Sequence, residues 1–418
     1  MTTLDEFVKR GAKTAYRRVE IKRVKTDGTY EADWFDITPF IVNFGTIAES
    51  YSDNIIVGEY QIHNLTISVD NSRRRFNPET DSESIFLNFK TRIKTRFRIE
   101  TGFIDRDDND SEVLGRRFYG ITFSEPQNSD SGRVNFSIAS ILKVFQLYPA
   151  TGIVTTSAAV SVLMERLTER TENAVRIFDQ FFEGASDAVR YQIQSSSTVI
   201  TPIINDNETV WDKMTDYSLY EFYYPSVTND GNFQWRDRVE TGGTIFKFNG
   251  GNSFDNEFGI NIVRILSEVP GVDQTWTRVT IEFDDDMFST SLTSWTPGDG
   301  STQDIFGERT YERTFKELTS GTSATIADTI RANTQTPKRR WNISTSFIPH
   351  LNLNDKVELN YTGDIISDGF ILGLSVLNGP DVLGGSVGAI NLENVITKIS
   401  GFSINLDTFA TQFELTEV

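Results

Sequence analysis

Residue types that do chemistry are scarce in this sequence and poorly placed for it. Among 418 residues there is no cysteine, and the only histidines are His63 and His350. Thiolate nucleophiles, disulfides and Cys-ligated zinc are thereby excluded. Two histidines also starve any acid-base relay or histidine metal centre of parts. Gly384-Gly385-Ser386-Val387-Gly388 matches a nucleophile elbow by letter. That elbow needs a helix after the serine and a histidine later in the chain, whereas both histidines precede Ser386, so a Gly-rich hairpin loop is the better reading. Asp105, Asp107 and Asn109 begin a calcium-loop spacing, but Asp110 stands where the turn glycine belongs and Arg116 where the bidentate Glu belongs. Asp284-Asp285-Asp286 reads as a strand-end cluster. No GK[ST] phosphate loop occurs, and no G-x-G-x-x-G follows a strand pattern. The expectation is no catalytic, cofactor-binding or metal-ligating residue.

Composition points to scaffold rather than chemistry. The length suggests two to four packed units. With 31 Phe, 13 Tyr and 6 Trp, large buried areas are available. No apolar run approaches the roughly 20 residues a membrane helix needs, and Met1 to Arg18 is too polar for a signal peptide. Synthesis and folding in the cytoplasm are expected. With 59 acidic against 40 basic residues the net charge is -19, which argues against wrapping nucleic acid.

Basic residues concentrate in two places. Lys9 to Lys25 holds eight of them, Arg17 and Arg18 included, against one acidic residue, Glu20. In Lys90 to Ile99 every even position is basic: Lys90, Arg92, Lys94, Arg96 and Arg98. A strand there buries Ile93, Phe97 and Ile99 and shows a positive row on its other face. Like charges side by side repel, so an acidic partner or acidic neighbouring strands should meet them. This set is the candidate protein interface. The short runs Arg73 to Arg75 and Lys338 to Arg340 read as loop or interface charge.

The elements that must hold these residues are mostly strands. Thr2 or Thr3 caps a short N-terminal helix ended by Gly11, and Tyr16 to Val24 and Tyr30 to Ile37 form a hairpin through Asp27-Gly28. The apolar phase changes at His63-Asn64, predicting a break or bulge before Leu65-Ile67-Val69. Phe76 tucks under the loop Asn71 to Pro78, Asp105 to Glu112 is a hairpin tip, and Arg117 to Phe123 and Arg133 to Ala139 complete an antiparallel domain. Val160, Leu163, Met164 and Leu167 predict an amphipathic helix over Ser157 to Arg170. A second helix starts from the cap Asn207, and a hairpin, Leu219 to Tyr224 with Asn232 to Arg236, turns at Thr228 to Gly231. Strands resume from Thr244, with a helix over Ser323 to Thr334 and strands at Arg340 to Ile348, Val357 to Tyr361, Phe370 to Leu377, Val395 to Leu406 and Thr411 to Val418. The expected fold is mainly β with an α+β insert: residues 1–148, 149–243 and 244–418.

In order along the chain, Asp36-Ile37-Thr38, Gly58, Leu65-Ile67-Val69 leading into Asn71, Phe76 to Pro78, Arg98 to Gly102 and Phe118-Tyr119-Gly120 resemble the first module of tailed-phage baseplate hub proteins. Gly307-Glu308-Arg309, the helix Ala324 to Arg331, Pro337, Arg340 to Phe347, and Pro349-x-Leu351-x-x-x-Asp355-x-Val357-x-Leu359 follow the same family's later order. The insert, with Val210-Trp211-Asp212 and Asn229-Asp230-Gly231, fits too. The loops Pro297 to Ile305 and Asn378 to Gly388 have no counterpart and stand out as contact surfaces.

The resemblance implies two tail-tube-like antiparallel β-barrel or sandwich domains flanking a small α+β region. It also implies a homotrimer at the tail tip that adapts a six-fold tube to a three-fold tip. Its partners would be the tail tube, distal tail, tape-measure and tip or fibre proteins. DNA would pass through the channel without specific binding, and the protein would reside in the virion. No peptidase or lytic domain is expected after Val418. The rival readings are a hexameric distal-tail or adaptor ring protein, a tail-borne enzyme degrading glycan or peptidoglycan, and a receptor-binding module using Ser294-Trp295.

Overall fold

A computed structural model describes residues 14–418 except 53–58, 79, 107, 109, 130–131, 152–155, 170, 173–174, 177–180, 183–190, 238–241, 252–257, 259, 284–286, 293–301 and 365–388. The expected N-terminal helix, the Asp284 to Asp286 cluster, Asp107, Asn109, Ser294-Trp295, the strand Phe370 to Leu377 and the Gly-rich segment around Ser386 lie outside the described residues.

The N-terminal third contributes β1 (Thr14–Lys25), β2 (Phe35–Asp36), β3 (Ile41–Asn43), β4 (Thr46–Tyr51), β5 (Tyr60–Gln61), β6 (Asn64–Asp70), β7 (Phe89–Asp105), β8 (Ser111–Thr122), β9 (Gln127–Ser129) and β10 (Arg133–Ser140). Seven of these run β2-β1-β7-β8-β10-β6-β3 in one antiparallel sheet, with β9 on β10. Alternation explains its core: Leu65, Ile67 and Val69 of β6 are buried while Asn64, Thr66 and Asp70 face out. The break predicted before β6 is present at Ile62-His63. Phe76 is fully buried, with its ring 6.1 Å from Phe136 and 5.8 Å from Phe40.

β4 leaves this sheet altogether. Gly45, at φ 73°, makes the exit, and a Cβ there would lie 2.5 Å from the Thr66 carbonyl oxygen.

The middle of the chain holds the ladder β11 (Ala158–Ala159) with β15 (Val199–Ile200), α1 (Val160–Thr168), the pair β12 (Thr171–Glu172) and β13 (Val175–Arg176), and β14 (Tyr191–Ile193). It continues with α2 (Val210–Glu221), β16 (Tyr223–Val227) and β17 (Phe233–Asp237). The α1 stripe Val160, Leu163, Met164 and Leu167 is buried, as its spacing predicts. The start of α2 differs from expectation. Thr209, not Asn207, is the cap, because Asp212 three residues on returns its carboxylate to the Thr209 amide and completes a capping box. Leu219 to Glu221 are helical rather than strand; Phe222, at φ 56°, ends the helix and β16 begins at Tyr223.

The C-terminal part supplies β18 (Phe246–Gly251), β19 (Ile262–Val269), β20 (Arg278–Phe283), β21 (Met287–Leu292), α3 (Thr302–Phe306), β22 (Thr310–Thr314) and α4 (Ser320–Thr334). It ends with β23 (Arg340–Thr345), β24 (Lys356–Asp364), β25 (Ala389–Asn405) and β26 (Ala410–Glu417). The second large sheet runs β18-β24-β25-β26-β23-β19, and β4, with β5 beside it, pairs along β25 from Gly401↔Ser50 to Asn405↔Thr46. A strand from the N-terminal third is thus built into the C-terminal sheet. A small sheet, β21-β20-β22, is backed by α4, whose Ile326, Ala327 and Ile330 are buried.

Candidate assembly surface

The basic set on β7 does not form one continuous face. β1 and β7 pair at Lys22↔Arg96 and next at Val24↔Thr91, so extra β7 residues are accommodated between these pairs. Lys94 absorbs the irregularity at φ 63°. Upstream of it the alternation changes phase. Arg92 is consequently buried, donating to the Phe76 carbonyl at 3.0 Å and pairing with Glu125 at 2.9 Å. Ile93, expected inside, is only half-buried, while Phe97 and Ile99 are fully buried as expected. Lys90 and Lys94 are exposed.

Downstream of Lys94 the charges are met within the chain. Arg98 stands opposite Glu20 on β1, with its guanidinium 2.6 Å from the carboxylate. In the next row Glu100, 3% exposed, takes Arg117 from β8 at 2.5 Å and Arg18 from β1 at 3.5 Å. Arg18 also reaches Glu112 at 2.5 Å. Lys22, Arg96 and Arg98 lie 5.0, 5.5 and 4.8 Å from the centre of the Trp34 ring, whose negative face offsets their mutual repulsion. The neighbouring strands are themselves net basic, so the row is met not by acidic strands but by single carboxylates, Glu20, Glu100 and Glu112, helped by an aromatic residue whose part the sequence did not reveal. Tyr16 borders this network, and its hydroxyl is pushed well up, first by burial and then by Glu100 and Glu112.

The insert reaches the same face. Asn229, in the turn between β16 and β17, accepts from the Arg117 amide through its side chain at 2.9 Å and from the Tyr119 hydroxyl through its carbonyl at 3.1 Å.

A second group of arginines ties the two large sheets together. Arg116 projects from β8 beside an irregularity at Thr101/Gly102 and is 6% exposed. It donates to the Pro349 carbonyl at 3.0 Å, to the Leu351 carbonyl, and to Asn352 Oδ1 at 3.0 Å. Its guanidinium carbon sits 4.1 Å from the centre of the Phe402 ring, and Glu49 on β4 is 3.4 Å away. Burial raises the Glu49 carboxyl, opposed by Arg116 and Arg236. Arg17 lies 3.7 Å from the Phe44 ring centre, donates to the Leu406 carbonyl and pairs with Asp407 at 3.9 Å. Asp407 in turn accepts from the Phe44 amide at 3.1 Å. The role of Arg116 was missed in the sequence because an arginine within a strand carries no signal of a distant carbonyl.

His63, in the break between β5 and β6, contacts Ser50 on β4, Nε2 to Oγ at 2.9 Å, at a shallow groove that Glu49, Asn342 and Glu414 also line. Burial lowers the His63 pKa. Among the described residues no cluster of His, Cys, Asp or Glu is arranged to hold a metal ion, and no helix is long and apolar enough to cross a membrane.

No family model matches the chain, and no curated protein matches it in sequence. Solved structures are similar in fold. The tail protein from Neisseria meningitidis MC58 is 10% identical over 96% of both chains, with a TM-score of 0.51. Prophage tail protein gp18 from Listeria monocytogenes EGD-e is 10% identical over 95% of this chain and 94% of its own, with a TM-score of 0.49. The 43 kDa tail protein of prophage MuSo2 from Shewanella oneidensis is 9% identical over 96% and 97%, with a TM-score of 0.47. The mainly β fold described above is similar to that of the Neisseria tail protein over 96% of both chains.

Proposed function

We propose that the chain is a structural, non-enzymatic virion protein: the trimeric baseplate or tail-tip hub of a long-tailed phage. In this role two tube-like parts, drawn mainly from residues 1–148 and 244–418 with β4 and β5 lent to the second, flank the insert 149–243, and three chains present six similar units to a six-fold tail tube. The observation that carries the reading is the union of two large sheets in one chain, through β4 on β25 and the Arg116 and Arg17 contacts. Such a union suits a part that must transmit load without hinging. The fold likeness to the Neisseria tail protein supports it.

The partners on this reading are the tail tube, distal tail, tape-measure and tip or fibre proteins, with DNA passing an acidic channel that repels phosphate. The basic set faces protein. Lys90 and Lys94 present charge outward, Arg92, Arg96, Arg98 and Arg18 belong to the paired network of the same sheet, and Arg17 braces its join to the second sheet. The protein is made in the host cytoplasm and resides at the virion tail tip. Native mass measurement and a density map of the tail tip test the assignment. Three copies around the tail axis are expected; six copies in a ring, or peptidoglycan or glycan cleavage abolished by substituting one carboxylate pair, overturn it.

A further inference from the structure

One cluster of charge plays no part in the surfaces above. Lys213, on α2, is 4% exposed, and its ammonium serves three carboxylates: Glu317 at 3.0 Å, Glu208 at 3.2 Å and Asp216 at 3.9 Å. Two of the three are committed elsewhere as well. Glu317 accepts from the Tyr220 hydroxyl at 2.8 Å and from the Ile203 amide at 2.7 Å, and Glu208 accepts from the Asn205 amide at 2.8 Å. Asp216 has the longest contact to Lys213 and the most exposed side chain of the three, at 32%.

The cluster sits where distant parts of the chain meet. α2 carries Lys213, Asp216, Tyr217 and Tyr220, and Glu208 precedes it. From the C-terminal part come Glu317 and Arg313, the latter paired with Glu59 at 3.0 Å. Arg166 on α1 acts on Tyr217. The contact itself is aromatic: Tyr220 meets Phe315 edge-on at 5.0 Å. One buried ammonium among three carboxylates leaves negative charge in excess, and a low-dielectric site relieves such an excess by taking up a proton.

We propose that this cluster is a proton-operated joint: protonation of Asp216 locks α2 against the segment Arg313 to Glu317, and its loss loosens that contact. Burial, with Glu317 and Glu208 adding to it and Lys213 and Arg313 opposing, raises the Asp216 carboxyl to about 6. A carboxyl raised on folding binds more protons in the closed joint than in the open one. The joint is therefore tightest in mild acid and weakens as pH rises through about 6. The inference is independent of the hub assignment.

Hydrogen exchange on the full chain tests it, with rates corrected for intrinsic pH dependence and β6 as internal reference. Opening of α2 is expected to be about four- to tenfold more frequent at pH 7 than at pH 5. In Asp216→Asn, neutral throughout, that ratio should fall to that of β6. In Glu208→Gln, which keeps Asp216 but removes one neighbouring negative charge, the midpoint should move to lower pH. Equal α2 opening at both pH values in the wild type, or an unchanged ratio in Asp216→Asn, would overturn the proposal. An unmoved midpoint in Glu208→Gln counts equally against it.

Discussion

Arg98 and Glu20 face each other across β7 and β1 with their charged atoms 2.6 Å apart, and both side chains are more than three-quarters withdrawn from solvent. A basic row that repels itself is thereby turned into a cross-strand ladder. Arg98→Met alone leaves the Glu20 carboxylate without its nearest counter-charge and should cost about 1–3 kcal/mol. Glu20→Gln in the same chain should recover part of that loss. Chemical denaturation of both single variants and the double variant measures the coupling.

Arg116 offers a test of how the two large sheets are held. Arg116→Ala strands two backbone carbonyls and the Asn352 side chain, and should destabilise by about 2–4 kcal/mol. Arg116→Lys should restore little, because one ammonium cannot span acceptors arranged for a planar fork. Thermal unfolding is the readout, and equal stability of the lysine variant and the wild type would refute this account.

Gly45 turns the chain from one sheet into the other at φ 73° with the Thr66 carbonyl close by. Gly45→Ala should therefore cost more than the roughly 1 kcal/mol of a left-handed alanine, since the backbone must also shift. Urea unfolding gives the difference directly.

At the C-terminal end Arg339 pairs with Glu417 at 2.9 Å and holds its carboxyl below the usual range. A carboxyl lowered on folding stabilises above its unfolded value and loses that contribution as pH falls through the folded one. The Arg339 side chain keeps 44% of its surface and Glu417 30%, so the contribution is small, about 0.2–1 kcal/mol. Glu417→Gln should thus lower the melting temperature slightly at pH 7 and not at pH 3.

Lys90 and Lys94 are the members of the basic set with exposed side chains. On the hub reading, Lys90→Glu with Lys94→Glu should leave the stability of the isolated chain within about 0.5 kcal/mol. Incorporation into tails should fall sharply. Normal incorporation would remove these lysines from the interface.

Strand character was legible where the buried face is apolar throughout, as in Leu65-Ile67-Val69, because period-two alternation is a local consequence of burial; β4 was not read, since Glu49 stands between Ile47 and Tyr51 on its buried side. The α1 stripe was legible for the same reason at the helical period. Lys94 shows where local reasoning stops: a bulge is set by the partner strand, and one such residue turns Arg92 from the outer face to the inner. Thr209 displaced Asn207 as a cap through a reciprocal bond to Asp212, a contest decided by geometry rather than residue type. The Arg116 and Asp407 contacts join residues hundreds of positions apart, and no spacing rule encodes them.

The placement of β4 also sets a timetable. Its partner β25 leaves the ribosome on the order of tens of seconds later, at about 5–20 residues per second. Until then the buried side of β4, Ile47 and Tyr51 among it, has no sheet to join. The later strand completes a sheet edge that the earlier one must wait for, so the nascent chain must keep that open edge from aggregating in the meantime.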